Sequence, residues 1–181
     1  VRYCNYQMKY TLGNFSNLEK VEWVQVARLV FICKGNICRS AFAEAVARST
    51  AINAISYGVD TRGGDPAEPR AVAMAREHGV DLTSHVTQRA DDYTPRNGDL
   101  IVAMEPDHLA AFNASGVNDP NAQQTLLGLW SSKPGPYIHD PYAANDLYFR
   151  RCFSGIVEAV KTLEKYLSFA VIAKAELQEA H

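Results

Sequence analysis

From Arg28 onward the chain alternates between short unbroken apolar runs and apolar stripes at helical spacing. Leu29 to Ile32 is a continuous apolar run, as a central parallel strand covered on both faces requires. Phe42, Ala45, Val46 and Ser49 then recur at helical spacing, which predicts a first helix from Arg39 or Ser40 to about Thr50. Ile55 to Val59 predicts a second strand, and Thr61 to Pro69, with two glycines and two prolines, a loop. Pro69 and Gly79 bracket a helix over Arg70 to His78. Asp99 to Met104 is the clearest further strand, and Pro106 opens a helix carrying Leu109 and Phe112 that Gly116 ends. Thr125 to Leu129 predicts a fourth strand, followed by a long loop, Ser131 to Ala144, rich in proline and glycine. Phe149, Phe153, Ile156, Val160, Leu163 and Leu167 repeat at alternating four and three, the stripe of a long helix lying against the sheet.

Residues 1 to about 26 are less regular. Ser16-Asn17-Leu18-Glu19 has the form of a capping box, whereas the alternation through Val21, Trp23, Gln25 and Ala27 suits an extended piece. Strands alternating with helices indicate an α/β fold with a parallel sheet. A length of 181 residues fits one domain with a genuine core, and no repeat or later boundary divides the chain after residue 27.

Composition narrows the function classes. A net charge of −2 with 47% hydrophobic residues points away from disorder and from a basic nucleic-acid surface. No apolar run approaches the ~18 residues of a membrane span, and the start lacks the basic-then-apolar order of a signal peptide. The cytoplasm is the expected location. The four cysteines, Cys4, Cys33, Cys38 and Cys152, form neither a C-x2-C pair nor a disulfide scaffold, which suits a reducing compartment. Cys4 reads as an incidental surface or packing thiol, and Cys152, beside the last apolar stripe, as a small buried residue.

Candidate chemistry lies in Val30 to Ser40. A strand ending in a loop that opens a helix converges backbone N–H groups on one point, with the positive end of the helix dipole behind them. That point is an anion site. Cys33 sits in it, where amide donors and a guanidinium favour the thiolate, and Arg39 can grip two oxygens of a tetrahedral anion. Gly35 allows close approach of the loop backbone to an anion. Two thiols as near as Cys33 and Cys38 can close a disulfide on oxidation. Release of a phosphate ester's alcohol also needs a proton donor, and an aspartate beside a proline in a loop is a fair candidate. Asp65-Pro66, Asp119-Pro120 and Asp140-Pro141 all offer that pair, so the dipeptide alone does not choose.

With these residues in view, the chain resembles the low molecular weight protein-tyrosine phosphatases over about residues 28–166. Cys33-Lys34-Gly35-Asn36-Ile37-Cys38-Arg39-Ser40 reads as that family's phosphate-binding loop, and His139-Asp140-Pro141-Tyr142 as its general-acid loop. Glu77-His78-Gly79-Val80 with Ser84-His85-Val86 reads as its middle helix and turn. The resemblance implies a three-layer α/β/α domain over 28–181, with a four-stranded parallel sheet of order 2-1-3-4, preceded by an extension over 1–27. It implies that Cys33 attacks phosphorus, that Arg39 and the loop amides hold the equatorial oxygens, and that Asp140 protonates the leaving group. Asp65-Pro66 and Asp119-Pro120 are then turns. Ser40 would donate to Cys33, and Asn36 would hold the loop with Ser56 and His85. Ile37 and Tyr142 would wall a crevice for an aromatic phosphoester, so the implied partner is a phosphotyrosine-containing protein. No metal or other cofactor is implied, since the amides and guanidinium supply the positive field.

The chain departs from the family's pattern at Ala41, where proline is common, and at Ala143, where many members have a second tyrosine. Lys34 at the rim and Arg62 in the Asp60 to Asp65 loop suggest a more open, more basic mouth. Three rival readings share parts of this pattern. Thioredoxin-dependent arsenate reductases need further cysteines on a segment that here, Val102 to Asn118, has none. Protein-arginine phosphatases carry threonine where this chain has Ile37, whose apolar side chain favours a phenyl ring. A cysteine phosphocarrier would not need Arg39 together with Asp140-Pro141. A redox or adaptor role, with the leading segment as contact surface, stands beside the enzyme reading.

Overall fold

The computed structural model describes residues 2–117, 119 and 121–179. The elements follow in the order α1 Arg2–Thr11, β1 Arg28–Cys33, α2 Arg39–Ser49, β2 Ala54–Gly58, α3 Pro69–Glu77, β3 Asp99–Ala103, α4 Pro106–Ala114, β4 Gln123–Leu126 and α5 Asp146–Glu179. The four strands form one sheet in the order β2-β1-β3-β4, and every pairing is parallel. Central β1 is buried along its whole length, as its apolar run demands. Leu29 and Phe31 enter a core shared with α2, α3 and α5, whereas Val30 and Ile32 enter the opposite core, built with Leu109 and Phe112 of α4. This makes three layers.

The apolar stripe of α5 lies on the sheet as predicted. Phe149, Phe153, Ile156, Val160 and Leu163 are buried, and the Phe153 ring stacks on Phe42 of α2 with centroids 3.8 Å apart. Since α2 begins at the end of the candidate loop, this stack fixes the helix on which the loop is mounted.

Several boundaries differ from expectation. Strand β2 begins one residue early and ends at Gly58. Helix α3 starts at Pro69, where the Glu68 side chain accepts from the Ala71 N–H as its cap. Strand β4 ends at Leu126, and Leu127–Trp130 turns as a 3-10 helix. That turn brings Gly128 against Gly135: a Cβ on Gly128 would sit 2.4 Å from the Gly135 carbonyl oxygen.

The leading segment departs most. Arg2–Thr11 is helical, and its sequence signal is the three- and four-residue spacing of Tyr3, Tyr6 and Tyr10 along one face of an otherwise polar stretch. The capping box does not form, because the Ser16 N–H is already committed to the Gly13 carbonyl at 3.1 Å and Ser16–Glu19 is a 3-10 turn without a side-chain cap. The extended piece is instead broken by a second such turn, Trp23–Gln25. Tyr10, Phe15 and Leu18 pack on the α4-side core, so this segment covers part of the sheet's second face. Cys4 is exposed, in keeping with a surface thiol. The Pro66 segment bridges to Val86, and Asp119 accepts from the Asn121 N–H at 2.8 Å; Pro120 lies outside the described residues.

Candidate active site

Strand β1 delivers Cys33 to its carboxyl end, and α2 begins at Arg39, so residues 34–38 make the turn between them. The left-handed residue of this turn is Asn36, with φ 56°, and not Gly35. Asparagine tolerates that conformation better than most residues, and here every polar group of Asn36 is used. Its side-chain nitrogen donates to Ser40 Oγ at 2.9 Å and to Ser56 Oγ at 2.7 Å. Its side-chain oxygen accepts from the Gln88 N–H at 2.8 Å, and its carbonyl accepts from His85 Nε2 at 2.7 Å.

These bonds set a direction for the whole network. With the amide donating to both hydroxyls, each serine proton must point onward. Ser56 donates to Glu44 Oε2 at 2.6 Å. Ser40 lies 2.9 Å from Cys33 Sγ and 3.5 Å from the Tyr57 carbonyl, so its better acceptor is the sulfur. The Asn36 N–H also reaches Sγ at 3.2 Å. Two donors therefore converge on the sulfur of Cys33, a residue only 3% exposed. Gly58 makes room for this turn, because a Cβ there would lie 2.9 Å from the Lys34 carbonyl oxygen and 3.0 Å from the Asn36 nitrogen.

Arg39 is buried, with its side chain 2% exposed, yet keeps its charge among anionic neighbours. Nη1 pairs with Glu105 and donates to the Ile138 carbonyl at 2.8 Å, and Nη2 donates to Asp140 Oδ2 at 2.8 Å. Burial works against the guanidinium's charge, but Cys33, Asp140 and Glu105 outweigh it and raise its pKa. Glu105 follows β3 and is itself buried. His108 lies 3.7 Å from Glu105 and is driven down to about 3, first by burial and then by Arg39, so it is neutral and leaves Glu105 to Arg39.

A cleft of about 340 Å³ opens on this arrangement, lined by Cys33, Ile37, Cys38, Arg39, Asp140 and Tyr142 together with Lys34, Gly35 and Asp60. All of the predicted catalytic and crevice residues therefore meet in one place, with Ser56 and His85 directly beneath the loop. Ile37 is half-buried and Tyr142 exposed, which leaves a slot between an aliphatic and an aromatic wall. The rim is less basic than expected: Lys34 Nζ sits 3.5 Å from Asp60, and Arg62 is exposed and outside the lining. Cys38 is buried, and burial followed by neighbouring Cys33 pushes its thiol well above the usual range. Glu44, Gln88 and Glu105 were not singled out from the sequence. A carboxylate directly after β3, the strand beside β1, was the available signal, since ligands gather at the carboxyl ends of parallel strands.

A thiol in a loop at the carboxyl end of a central strand, an arginine at the start of the following helix and an aspartate facing them from another loop make up the site of a cysteine-dependent phosphatase. The family model described as low molecular weight phosphotyrosine protein phosphatase matches residues 28–175, and the chain belongs to that family. It is 31% identical over 142 residues to the low molecular weight protein-tyrosine-phosphatase Etp of Escherichia coli K12, covering 77% of this chain and 94% of that protein. It is 31% identical over 149 residues to the pig (Sus scrofa) low molecular weight phosphotyrosine protein phosphatase, covering 76% and 94%. Among solved structures, the tyrosine phosphatase amsI of Erwinia amylovora superposes with a TM-score of 0.66 at 28% identity, over 79% of this chain and 94% of that one.

Breaking the buried pair from one side tests its weight. Glu105→Ala is expected to lower unfolding free energy by about 3–5 kcal/mol, because it strands a buried guanidinium, and Glu105→Gln by less. Urea denaturation monitored by circular dichroism measures both.

Proposed function

We propose that this chain hydrolyses phosphotyrosine in proteins by two displacements through a phosphocysteine. The observation that carries the reading is the meeting of Cys33 Sγ, the Arg39 fork and the Asp140 carboxylate in one cleft. The sulfur attacks phosphorus along the axis of the loop. The loop amides and Arg39 hold the three equatorial oxygens as charge spreads over them. An incoming phosphoryl group displaces Asp140 from Arg39 Nη2; the carboxylate, no longer paired with that cation, takes up a proton from solvent and then gives it to the departing phenolic oxygen. Asp140 then takes a proton from the water that breaks the S–P bond, and Ser40 stabilises the departing sulfur. No step draws on a metal.

Substrate choice follows from the walls. A phenyl ring fits between Ile37 and Tyr142, whereas the guanidinium of phosphoarginine would leave its donors against the apolar Ile37. Lys34 held by Asp60 gives the rim no net preference for acidic peptides. A reduced nucleophile suits the cytoplasm.

The same loop supports reversible redox control. Peroxide converts the Cys33 thiol to a sulfenic acid with release of water, and attack by Cys38 then closes a disulfide with loss of a second water.

Phosphate release from p-nitrophenyl phosphate and from a phosphotyrosine peptide is expected to fall to background in Cys33→Ser, and by ~10²–10⁴ in Asp140→Ala with acid-quenched phosphocysteine accumulating. Activity on phosphoarginine exceeding that on phosphotyrosine would overturn the substrate assignment. After peroxide, wild type is expected to recover with dithiothreitol and Cys38→Ser to remain inactive; equal recovery would remove the protective role of Cys38.

A further inference from the structure

Residues 137–140 carry Asp140 past the cleft without belonging to a strand. On one side the stretch faces Arg39, through the Ile138 carbonyl and the Asp140 carboxylate. On the other side it meets α1. The Tyr3 ring lies 4.5 Å from His139 and 6.0 Å from Tyr137, and Tyr6 stacks on Tyr137 at 6.2 Å with an interplanar angle of 25°. Tyr137 and His139 close the group, edge to face at 4.6 Å. Tyr6 also donates its hydroxyl to Asp107 in the first turn of α4, which ties the same ring to the helix that follows Glu105.

The loop also leans on α5, where Cys152 Sγ donates to the His139 carbonyl at 3.5 Å and the Tyr148 ring lies 6.1 Å from His139. Its backbone reaches the domain through the Gly135 N–H to the Gly128 carbonyl at 3.1 Å and the Ile138 N–H to the Met104 carbonyl at 2.9 Å. Behind it, between α1, the loop and α5, lies an open space of about 270 Å³ lined by Tyr3, Tyr137, His139, Tyr148 and Cys152. The Asp140 carboxylate, 43% exposed, accepts from Arg39 and from the Tyr142 N–H at 3.1 Å, but once Arg39 takes up a phosphate the irregular segment that carries it needs a further constraint to keep one orientation. The rings of α1 supply it, and α1 lies outside residues 28–175, the part matched by the family model.

We infer that α1 is a clamp on the general-acid loop, and that Tyr3 and Tyr6 are positioning residues that hold Asp140 over the leaving group. The inference rests on the reading of Asp140 as the acid. Loosening the clamp leaves the thiolate and the phosphate cradle in place but misplaces the proton donor. The loss must therefore depend on how badly the leaving group needs a proton, which a general loss of structure would not reproduce.

The test compares kcat/KM for phenyl phosphate, a poor leaving group, with that for 2,4-dinitrophenyl phosphate, which departs without protonation. In Tyr3→Ala/Tyr6→Ala the first is expected to fall about tenfold or more and the second by less than about threefold, the same pattern, smaller in size, as in Asp140→Asn. Tyr3→Phe/Tyr6→Phe, which keeps the rings, is expected to restore most of the loss, and Tyr3→Ala alone, at a half-exposed ring, to shift the ratio in the same direction. Equal losses on both esters in the tyrosine variants, or none, beside a selective loss in Asp140→Asn, would overturn the clamp. An Asp140→Asn enzyme that loses both esters equally would overturn the acid assignment, and the clamp's role with it.

Discussion

Everything at the site depends on Asn36 holding a left-handed backbone turn between β1 and α2. A non-glycine residue at φ 56° persists where its surroundings over-determine it, and here four partners do so: Ser40, Ser56, Gln88 and His85. The conformation turns residues 34–38 around the sulfur and sends the Asn36 N–H into it. Because one amide feeds both serines, the protons are ordered outward from Asn36, towards Cys33 on one branch and Glu44 on the other. A buried network with every member satisfied is rigid, and rigidity lets donors act on a transition state without reorganising.

Charge balance follows from the same geometry. Once the loop seats Arg39 at the start of a buried helix, its guanidinium needs a permanent counter-charge and a replaceable one. Glu105 is the permanent partner, enclosed beneath the loop, and Asp140 the replaceable one, at the mouth of the cleft. On the function proposed above, that division lets one arginine both keep the empty site balanced and accept a phosphate. On the far side of the loop that carries Asp140, the rings of Tyr3 and Tyr6 of α1 pack on His139 and Tyr137.

The parts of this arrangement that were legible in the sequence are those written in local pattern. The apolar run of β1, the stripe of α5 and the Cys33-to-Ser40 loop each declare themselves in a single local stretch, and the sheet order follows from the family resemblance. Glu105 was hidden because an acidic residue before Pro106 looks like an ordinary helix start, yet its side chain makes no cap and pairs with Arg39 at the start of α2 instead. Gly58 was hidden because its requirement comes from the Lys34 carbonyl and Asn36 nitrogen, more than twenty positions away in sequence. Helix α1 was hidden for a related reason. Its tyrosines share one face but stand in an otherwise polar sequence with no acidic residue in the first turn, and what Tyr3 and Tyr6 pack on is the loop carrying Asp140, more than a hundred residues later.

The central claim is that the Asn36 network prepares the cradle before any anion arrives. Titration calorimetry of inorganic phosphate into wild type and Asn36→Ala tests it directly, with circular dichroism to show that both are folded. The account predicts that wild type binds phosphate and that Asn36→Ala, though folded, binds it at least about tenfold more weakly, a loss of about 1.4 kcal/mol or more. A folded Asn36→Ala protein that binds phosphate as tightly as wild type would contradict it.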